Sequence, residues 1–477
     1  MRLAFFFLMV LAAGGRVAAP AEIPQLIQAG HWQQARAEIA SELATTNLSY
    51  AAREELLFQS DRMRRMRWDF NQTREEVWQA ARALAPTLTE AQFAGWEQSG
   101  AVEFLDIDGT RWYLRQAARN LFRINPAARA LLTPAGFDSI FNPPNYRLDD
   151  LRTILSNYDK TGDICNTPKR WRVAYTVSVR PDMVPAGETV RAWLPFPHVL
   201  NRQAGIRLVS SDPAREVLAS TNDALSSIYL ETPAVRGQPT VFQVVFEYTG
   251  RAFYEPIDPA RVTPVDTNDP ALTPFLGERP PDIVFSDSLK NLSRQMVGEE
   301  TNPYLKARRI FQWVSDHVIW ASAREYCTLD GLPQYALSHG HGDCGMETMT
   351  FMTFCRYNGI PARWESGWVC RPVPDMHDWC EIYLAPYGWV PVDVTYGIVN
   401  SSIDREKWFY LGGIDGFRLV VNCDDRQPLY PEKTHFRSEV VDFQRGEVEW
   451  RGGNLYFDQW DWNFQPVELK SGEVGGE

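Results

Sequence analysis

The chain has 477 residues, of which 44% are hydrophobic and 23% are charged, and its formal net charge at pH 7 is −12. At about 150 residues per domain, this length predicts roughly three domains. Binding of nucleic acid requires clustered Lys and Arg. The one densely basic segment, residues 62–67, is interpreted as a solvated helix face. The composition therefore argues against a nucleic-acid partner.

The N-terminus has the three regions of a secretory signal peptide. Met1 and Arg2 precede an apolar run over residues 3–13, and small residues follow through residue 21. This pattern predicts a signal peptide over 1–21, with the mature protein starting within 19–22. The apolar run is too short to span a bilayer, and no later stretch approaches about 18 uninterrupted apolar residues. We therefore expect an exported, periplasmic or extracellular protein without a membrane span.

The remaining sequence divides according to its periodicity. Helical spacing of apolar residues begins at Leu26, whereas residues 126–168 are rich in Pro, Asn and Asp and predict a linker with little regular structure. Alternation at Val173, Tyr175 and Val177, followed by further strand patterns, predicts a small antiparallel β-sandwich. The predicted regions are a helical N-terminal region with its linker at 22–165, the β-sandwich at 166–255, a Pro-rich linker at 256–280, a domain of mixed helix and strand at 281–425 and a strand-rich C-terminal extension at 426–477.

The best-defined helix is predicted over residues 343–358. Apolar residues form one stripe along it, Asp343 suits its N-cap, and Gly359 suits its end. Three strand patterns follow the helix, at 364–370, 377–384 and 389–395. This order predicts a helix packed against antiparallel strands.

Three residues in this region have the chemistry of an activated nucleophile. Cys344 stands at the predicted helix start, where the helix N-terminus and a nearby imidazolium both lower a thiol pKa and unpaired N–H groups can stabilise an oxyanion. His377 opens the second strand. Asp393 follows on the third strand, within reach of His377 if Pro391 causes a bulge, and would fix the tautomer of the imidazole. The three residues predict a Cys344, His377 and Asp393 triad.

The seven cysteines are an odd number, so at least one thiol is expected to be free. Export makes disulfides possible, and Cys370 and Cys380 flank a short connection between two strands, which makes them the preferred bonded pair. Cys344 and Cys355 share one predicted helix and lie about 16 Å apart, which is too far for a disulfide.

The order of these motifs resembles the transglutaminase-like superfamily. The matching segments are Gly342-Asp343-Cys344, the helix end and turn at 356–363, the strand from His377-Asp378-Trp379 and the segment from Gly388-Trp389 to Asp393. Over roughly residues 280–425 the resemblance implies an α+β, papain-like core, in which a helix carrying the Cys packs on an antiparallel sheet. It implies Cys344 as nucleophile, His377 as general base and Asp393 as orienting carboxylate.

Two further features follow from the resemblance. The strand-rich stretch at 170–253, with Trp193-Leu194-Pro195-Phe196-Pro197, is similar to the β-sandwich that often precedes this domain in exported bacterial members. Some members use a Trp or Gln upstream of the Cys to complete the oxyanion hole, and Trp320 is the candidate here. An ordinary core tryptophan is the alternative interpretation of Trp320.

The sequence therefore predicts a thiol-dependent acyl-transfer enzyme acting on a peptide or protein substrate. A cysteine peptidase or amidase is the first hypothesis. A protein-glutamine transglutaminase and a non-enzymatic binding protein that retains the fold are the alternatives. No cofactor is predicted, and no metal, because the spacing of His339, His341 and Cys344 matches no usual zinc pattern. The oligomeric state is left open.

Overall fold

The computed structural model describes residues 22–141, 148–371 and 373–470. The predicted signal peptide, residues 1–21, lies outside the described residues. The helices are α1 (Glu22–Gln28), α2 (Trp32–Leu43), α3 (Tyr50–Asp69), α4 (Arg74–Leu84), α5 (Glu90–Gln98), α6 (Ala117–Ile124), α7 (Pro126–Arg129), α8 (Pro134–Phe141), α9 (Leu148–Thr161), α10 (Asp287–Val297), α11 (Pro303–His317), α12 (Leu332–His339), α13 (Cys344–Tyr357) and α14 (Asp404–Lys407).

The strands lie mostly in the second half of the molecule. They are β1 (Phe70–Gln72), β2 (Phe104–Ile107), β3 (Thr110–Leu114), β4 (Cys165–Val179), β5 (Thr189–Pro195), β6 (Gln203–Asp212), β7 (Val217–Leu218), β8 (Ser227–Pro233), β9 (Thr240–Tyr254), β10 (Ile319–Trp320), β11 (His341–Gly342), β12 (Ala362–Val369), β13 (Asp375–Leu384), β14 (Gly388–Val392), β15 (Gly413–Ile414), β16 (Arg418–Asn422), β17 (Glu447–Trp450), β18 (Gly453–Leu455) and β19 (Trp460–Leu469).

The N-terminal region is helical as predicted, but the expectation of little regular structure over 126–168 is wrong. Helices α7, α8 and α9 occupy much of it, followed by the start of β4. The residues taken as breakers start helices instead. Asn125 caps α7 by accepting a hydrogen bond from the Ala128 N–H at 3.0 Å, and Pro126 stands in the first turn, where a missing N–H costs nothing.

The basic segment of α3 is not a simple solvated face. Arg65 is completely buried, pairs with Asp61 at 2.6 Å and has its guanidinium carbon 4.2 Å from the centre of the Tyr456 ring. Arg62 bonds to Asp330 at 2.7 Å. The solvated interpretation is therefore wrong for Arg65, because this helix packs against the C-terminal part of the chain.

The strands that follow the N-terminal helices in the sequence include two five-stranded sheets. One has the order β15-β9-β4-β19, with β6 also paired to β9, and the other has the order β18-β17-β5-β8-β7. One hydrophobic cluster contains buried side chains of both, including Val177 and Leu230, so the sheets pack face to face. The C-terminal strands belong to these sheets: β17 pairs with β5, and β19 pairs with β4 over its whole length.

The α+β core predicted from the sequence follows the N-terminal helices and the two packed sheets as the third part of the structure. Its antiparallel sheet has the order β14-β13-β12-β16, and α13 packs on it with every residue from Gly345 to Arg356 buried. Asp343 is the N-cap, as predicted, since its side chain accepts a hydrogen bond from the Met346 N–H at 3.2 Å. The papain-like arrangement of a cysteine-bearing helix on an antiparallel sheet is confirmed.

The Cys370–Cys380 disulfide prediction is wrong. Cys380 lies opposite Trp364 in the β12–β13 ladder, six positions from Cys370 along the neighbouring strand and so about 20 Å away. Both thiols are free, and Cys370 instead contacts the Tyr248 hydroxyl at 3.2 Å. β12 and β13 pair along their whole length, from the connection between them to their far ends. Cys370 lies at the connection and Cys380 lies well along β13, so the two cysteines are far apart.

None of the helices within residues 22–141, 148–371 and 373–470 is both long and apolar enough to cross a membrane.

Candidate active site

A cleft of about 460 Å³ opens at the N-terminus of α13. Its walls come from six parts of the chain: the N-terminal helical region, the segment before α12, the start of α13, the start of β13, the segment before β17, and β19. The lining includes Trp68, Arg115, Trp320, Glu325, Tyr326, Asp343, Cys344, Asp375, Asp378, Glu439, Asp442, Gln444, Arg445 and Trp462. The N-terminal and C-terminal regions therefore help to form the cleft that contains Cys344.

The start of α13 holds Cys344 at the cleft. The Asp343 cap leaves Cys344 as the first helical residue, so the N–H groups of Cys344 and Gly345 lie in the turn that has no intrahelical acceptor for them. A Cβ atom at Gly345 would lie 2.8 Å from the Asp378 carboxylate and closer still to the Tyr326 hydroxyl. Glycine is needed here because these two side chains pack directly against the helix.

The Cys344 thiol donates a hydrogen bond to Asp378 Oδ2 at 3.4 Å, and the backbone of Asp378 also hydrogen-bonds to the sulfur. Asp378 is almost fully buried. It accepts further hydrogen bonds from the Tyr326 hydroxyl at 3.3 Å and from Gln444 Nε2 at 2.7 Å. All these donors are neutral, so no cation among them compensates the Asp378 carboxylate.

This environment opposes ionisation of the thiol. Burial, together with the negative charges of Asp378 and Asp343, raises the pKa of Cys344 well above its usual range. Burial and the neighbouring Asp442 and Asp343 also raise the pKa of Asp378 well above its usual range. The expected lowering of the thiol pKa by the helix terminus is therefore outweighed, and Cys344 is a neutral hydrogen-bond donor in this arrangement.

His377 and Asp393 lie together on the neighbouring strands. His377 Nε2 is 2.8 Å from Asp393 Oδ2, and both side chains are buried. The ladder between β13 and β14 is unbroken, with Pro391 opposite Glu381. Asp393 follows directly after β14, so it reaches His377 without the bulge at Pro391 that the sequence analysis invoked.

Asp393 is also held by a cation. Arg418 Nη1 lies 2.7 Å from the carboxylate oxygen that meets His377, and the Tyr396 N–H donates to the other oxygen at 3.0 Å. Burial alone would raise the pKa of Asp393, but the charges of His377 and Arg418 and these hydrogen bonds lower it to about 2. The carboxylate is therefore ionised at neutral pH and can orient the imidazole.

The structure brings the predicted residues together in two groups. His377 and Asp393 form one, and Cys344 and Trp320, which both line the cleft, form the other. The two groups are linked through β13. The Cys344 thiol contacts Asp378, and His377 is the residue just before Asp378 on the same strand. Within the described part of the chain, no hydrogen bond joins the Cys344 thiol to the His377 ring.

Trp320 is not a core residue, since 37% of it is exposed. It lies on β10, which runs parallel to β11 and places Trp320 opposite Gly342, just before Cys344. The guanidinium of Arg123 from the N-terminal region lies 4.3 Å from the centre of its ring. Trp320 is therefore a wall of the cleft beside the nucleophile candidate.

Among residues 22–141, 148–371 and 373–470, no group of three or more His, Cys, Asp and Glu is arranged to hold a metal ion. His339 stacks on Tyr335, and the ring of His341 meets both of them edge to face, with the centroids of the two imidazoles 5.8 Å apart.

Residues 290–394 match the family model of the transglutaminase-like superfamily. The resemblance inferred from the motifs is confirmed over this segment, which includes the start of α13, all of β13 and Asp393. No curated protein matches the sequence with significance. A transglutaminase-like domain with a cysteine at the start of its helix supports a cysteine-dependent hydrolase or acyltransferase in general terms.

Solved structures with some similarity come from bacterial proteins. A proposed cysteine protease from Cytophaga hutchinsonii is 16% identical, with a TM-score of 0.42 and an alignment covering 64% of this chain and 92% of that one. The periplasmic domain of TgpA from Pseudomonas aeruginosa is 14% identical, with a TM-score of 0.27 and coverage of 48% and 88%. A proposed protease from Parabacteroides distasonis is 7% identical, with a TM-score of 0.20 and coverage of 55% and 69%.

Sequence reasoning missed several side chains of the site. Asp378 stands in the same short motif as His377, but adjacent residues of a strand point to opposite faces, and nothing in the motif indicates that Asp378 contacts the thiol. Arg418, Gln444 and Asp442 come from segments that carry no recognisable signature. Their proximity depends on β16 pairing with β12 and on the segment before β17 folding over the cleft.

Replacing Asp378 with Asn tests the electrostatic account of the thiol. The amide keeps the shape of the carboxylate but removes its negative charge, so the pKa of Cys344 should fall. The rate of Cys344 alkylation by iodoacetamide, followed by peptide mapping as a function of pH, should show its midpoint at lower pH in Asp378→Asn. An unchanged or higher midpoint would contradict the role given to Asp378.

Replacing Asp393 with Asn tests the buried ion pair. Arg418 also pairs with Asp415 at 2.9 Å, so Asn removes one of the two carboxylates that hold this guanidinium. The free energy of unfolding at neutral pH should therefore fall by about 1.5–3 kcal/mol, as for the loss of a hydrogen bond to a charged group. Because the folded pKa of Asp393 is depressed to about 2, its stabilisation is complete above the unfolded value of about 3.9 and is lost as the pH falls toward 2. Urea denaturation should therefore show the largest difference from wild type at neutral pH and a shrinking one below about pH 4.

The control for that experiment is Asp404→Asn, which removes a carboxylate that is 79% exposed and paired with Arg308 at 3.5 Å. It should change stability by less than about 1 kcal/mol. An equal loss in both variants would contradict the buried role of Asp393.

Proposed function

We propose that this protein is a cysteine hydrolase that cleaves a peptide or amide bond, with Cys344, His377 and Asp393 as its triad. The observation that carries the proposal is a free thiol at the start of a buried helix, inside a cleft and beside β13, whose His377 is hydrogen-bonded to Asp393 just after the end of β14. These are a nucleophile, a base and the group that orients the base.

In this proposal each nitrogen of His377 has a separate task. Asp393 occupies Nε2, so Nδ1 is the nitrogen that takes the thiol proton. The proton transfer requires the thiol to leave Asp378 and turn toward Nδ1. The sulfur then attacks the substrate carbonyl, and first-turn N–H groups at Cys344 and Gly345, with Trp320 beside them, stabilise the oxyanion.

Collapse of this intermediate breaks the amide bond. The proton held on His377 moves to the leaving nitrogen, which departs as an amine and leaves an acyl-Cys344 thioester. Water, deprotonated by His377, attacks the thioester and releases the carboxylic acid, and the thiol recovers its proton. The raised thiol pKa fits an enzyme whose thiolate forms during the reaction rather than one that stores a thiolate at rest.

Replacement of Cys344 provides the direct test. Peptide and peptidoglycan-stem amides should be cleaved by wild type, and Cys344→Ala should lose about 10⁴-fold or more in kcat/KM. Cys355→Ala is the matched control, because it removes a second free thiol from the same helix at a fully buried site. Cleavage that survives Cys344→Ala, or is lost equally in Cys355→Ala, would exclude Cys344 as the nucleophile.

Transfer of the acyl group to an amine is the second candidate. The acidic walls of the cleft favour it, because carboxylates at Asp343, Asp378 and Asp442 attract an amine. A glutamine peptide incubated with a labelled primary amine separates the two reactions. Incorporation of the label without net hydrolysis would favour the transferase, whereas release of free acid favours the hydrolase.

We also propose that the protein acts outside the cytoplasm, on the strength of the signal-peptide pattern in residues 1–21. N-terminal sequencing of protein recovered from its native host should give a first residue within 19–22. An N-terminus at Met1 would contradict export by this route.

A further inference from the structure

The cleft contains more negative charge than its own cations neutralise. Six of its lining residues are acidic, namely Glu325, Asp343, Asp375, Asp378, Glu439 and Asp442. Arg445 is already engaged, because it forms a forked pair with Glu325 at 2.6 and 2.9 Å and a second pair with Glu439. Arg115 lies 3.5 Å from Asp69 and 3.6 Å from Glu325. Arg324 also lines the cleft, with its guanidinium carbon 5.4 Å from the centre of the Tyr335 ring, so six carboxylates face three guanidinium groups.

Within the described residues, three carboxylates near the thiol form no direct ion pair, although the charge of Arg445 also acts on Asp442. Asp343 and Asp378 accept hydrogen bonds there only from neutral groups, including the Tyr326 hydroxyl at 2.7 and 3.3 Å. Asp442 is 7% exposed, and in the described part of the chain no other residue donates a hydrogen bond or forms an ion pair with its carboxylate. A buried carboxylate without a partner is costly, and Asp442 lies in the wall of an open cleft that can supply one.

The repulsion among these groups supports the same conclusion. Burial and the charge of Glu439 raise the pKa of Asp442 well above its usual range, and burial followed by the charge of Asp442 does the same for Asp378. A cation between these carboxylates would relieve the repulsion.

We infer that the substrate of this cleft carries a primary ammonium group, which binds at Asp442 and Asp378 beside the Cys344 thiol. The inference rests on the proposed function in that it assigns the substrate class of the same site. It accounts for a carboxylate that the triad does not use and that lies outside the segment matching the superfamily. The ammonium can belong to a lysine-type side chain or to a peptide N-terminus, since both present the same charge.

The test measures binding in Cys344→Ala, so that its result does not depend on turnover. Three probes are titrated by ligand-observed NMR: N-acetyl-lysine amide, with a side-chain ammonium; norleucine amide, with an α-ammonium; and N-acetyl-norleucine amide, with neither. At least one cationic probe should bind about tenfold or more tightly than the neutral one, as expected for a hydrogen bond to a charged group. The tighter of the two cationic probes identifies the source of the ammonium.

Adding Asp442→Asn should lower the affinity for that cationic probe by about tenfold and leave the neutral probe unchanged. Asp461→Asn is the matched control, because Asp461 is 64% exposed, pairs with Arg180 and does not line the cleft. It should change neither affinity.

Equal binding of all three probes, no binding of any probe, or a cationic affinity that survives Asp442→Asn would overturn the inference. If Asp442→Asn does not fold, the comparison of cationic with neutral probes in Cys344→Ala still decides it. Inactivity of wild type toward every amide would count against the proposed hydrolase alone, because the binding experiment does not require catalysis.

Discussion

The hydrogen bond from the Cys344 thiol to Asp378 is the constraint on which the site depends. It fixes the sulfur against β13, and it exists because Asp343 ends the preceding segment and starts α13 at Cys344. Gly345 keeps the space through which Asp378 and Tyr326 approach the helix. A helix starting one residue later would rotate the thiol by about 100° and remove it from this contact.

The same contact separates two electrostatic environments on one strand. On one side, His377 and Asp393 are supported by Arg418, and Asp393 is firmly ionised. On the other side, the thiol lies among carboxylates that lack a cation, and its pKa is raised. Groups whose pKa values are displaced in opposite directions within one site are typical of sites that move protons. In a purely structural ion-pair network, the carboxylates around the Cys344 thiol would also be paired with cations.

Much of the core was predictable because its signals are local. Asp343 and Gly359 mark the ends of α13, strand alternation located β12 to β14, and antiparallel pairing brought Asp393 to His377. The approach of Asp378 to the thiol was not predictable, since it depends on the height at which α13 crosses the sheet. The helices within 126–168 were missed because Asn125 and Pro126 either break or start a helix, and only the packing of the following residues decides which. The free state of Cys370 and Cys380 follows from the register of two strands, which flanking sequence does not determine.

The path of the chain through the two packed sheets determines when the cleft can exist. β4 lies early in the sequence, whereas one of its neighbours, β19, lies at Trp460–Leu469. The segment that carries Asp442 and Gln444 is held by Glu447 of β17, which accepts hydrogen bonds from the Ser438 and Glu439 N–H groups at 2.8 Å. During synthesis, the helix and strands bearing Cys344, His377 and Asp393 are therefore complete before the wall that covers them. A nascent chain therefore lacks part of the binding surface until β19, which carries Trp462, has been made.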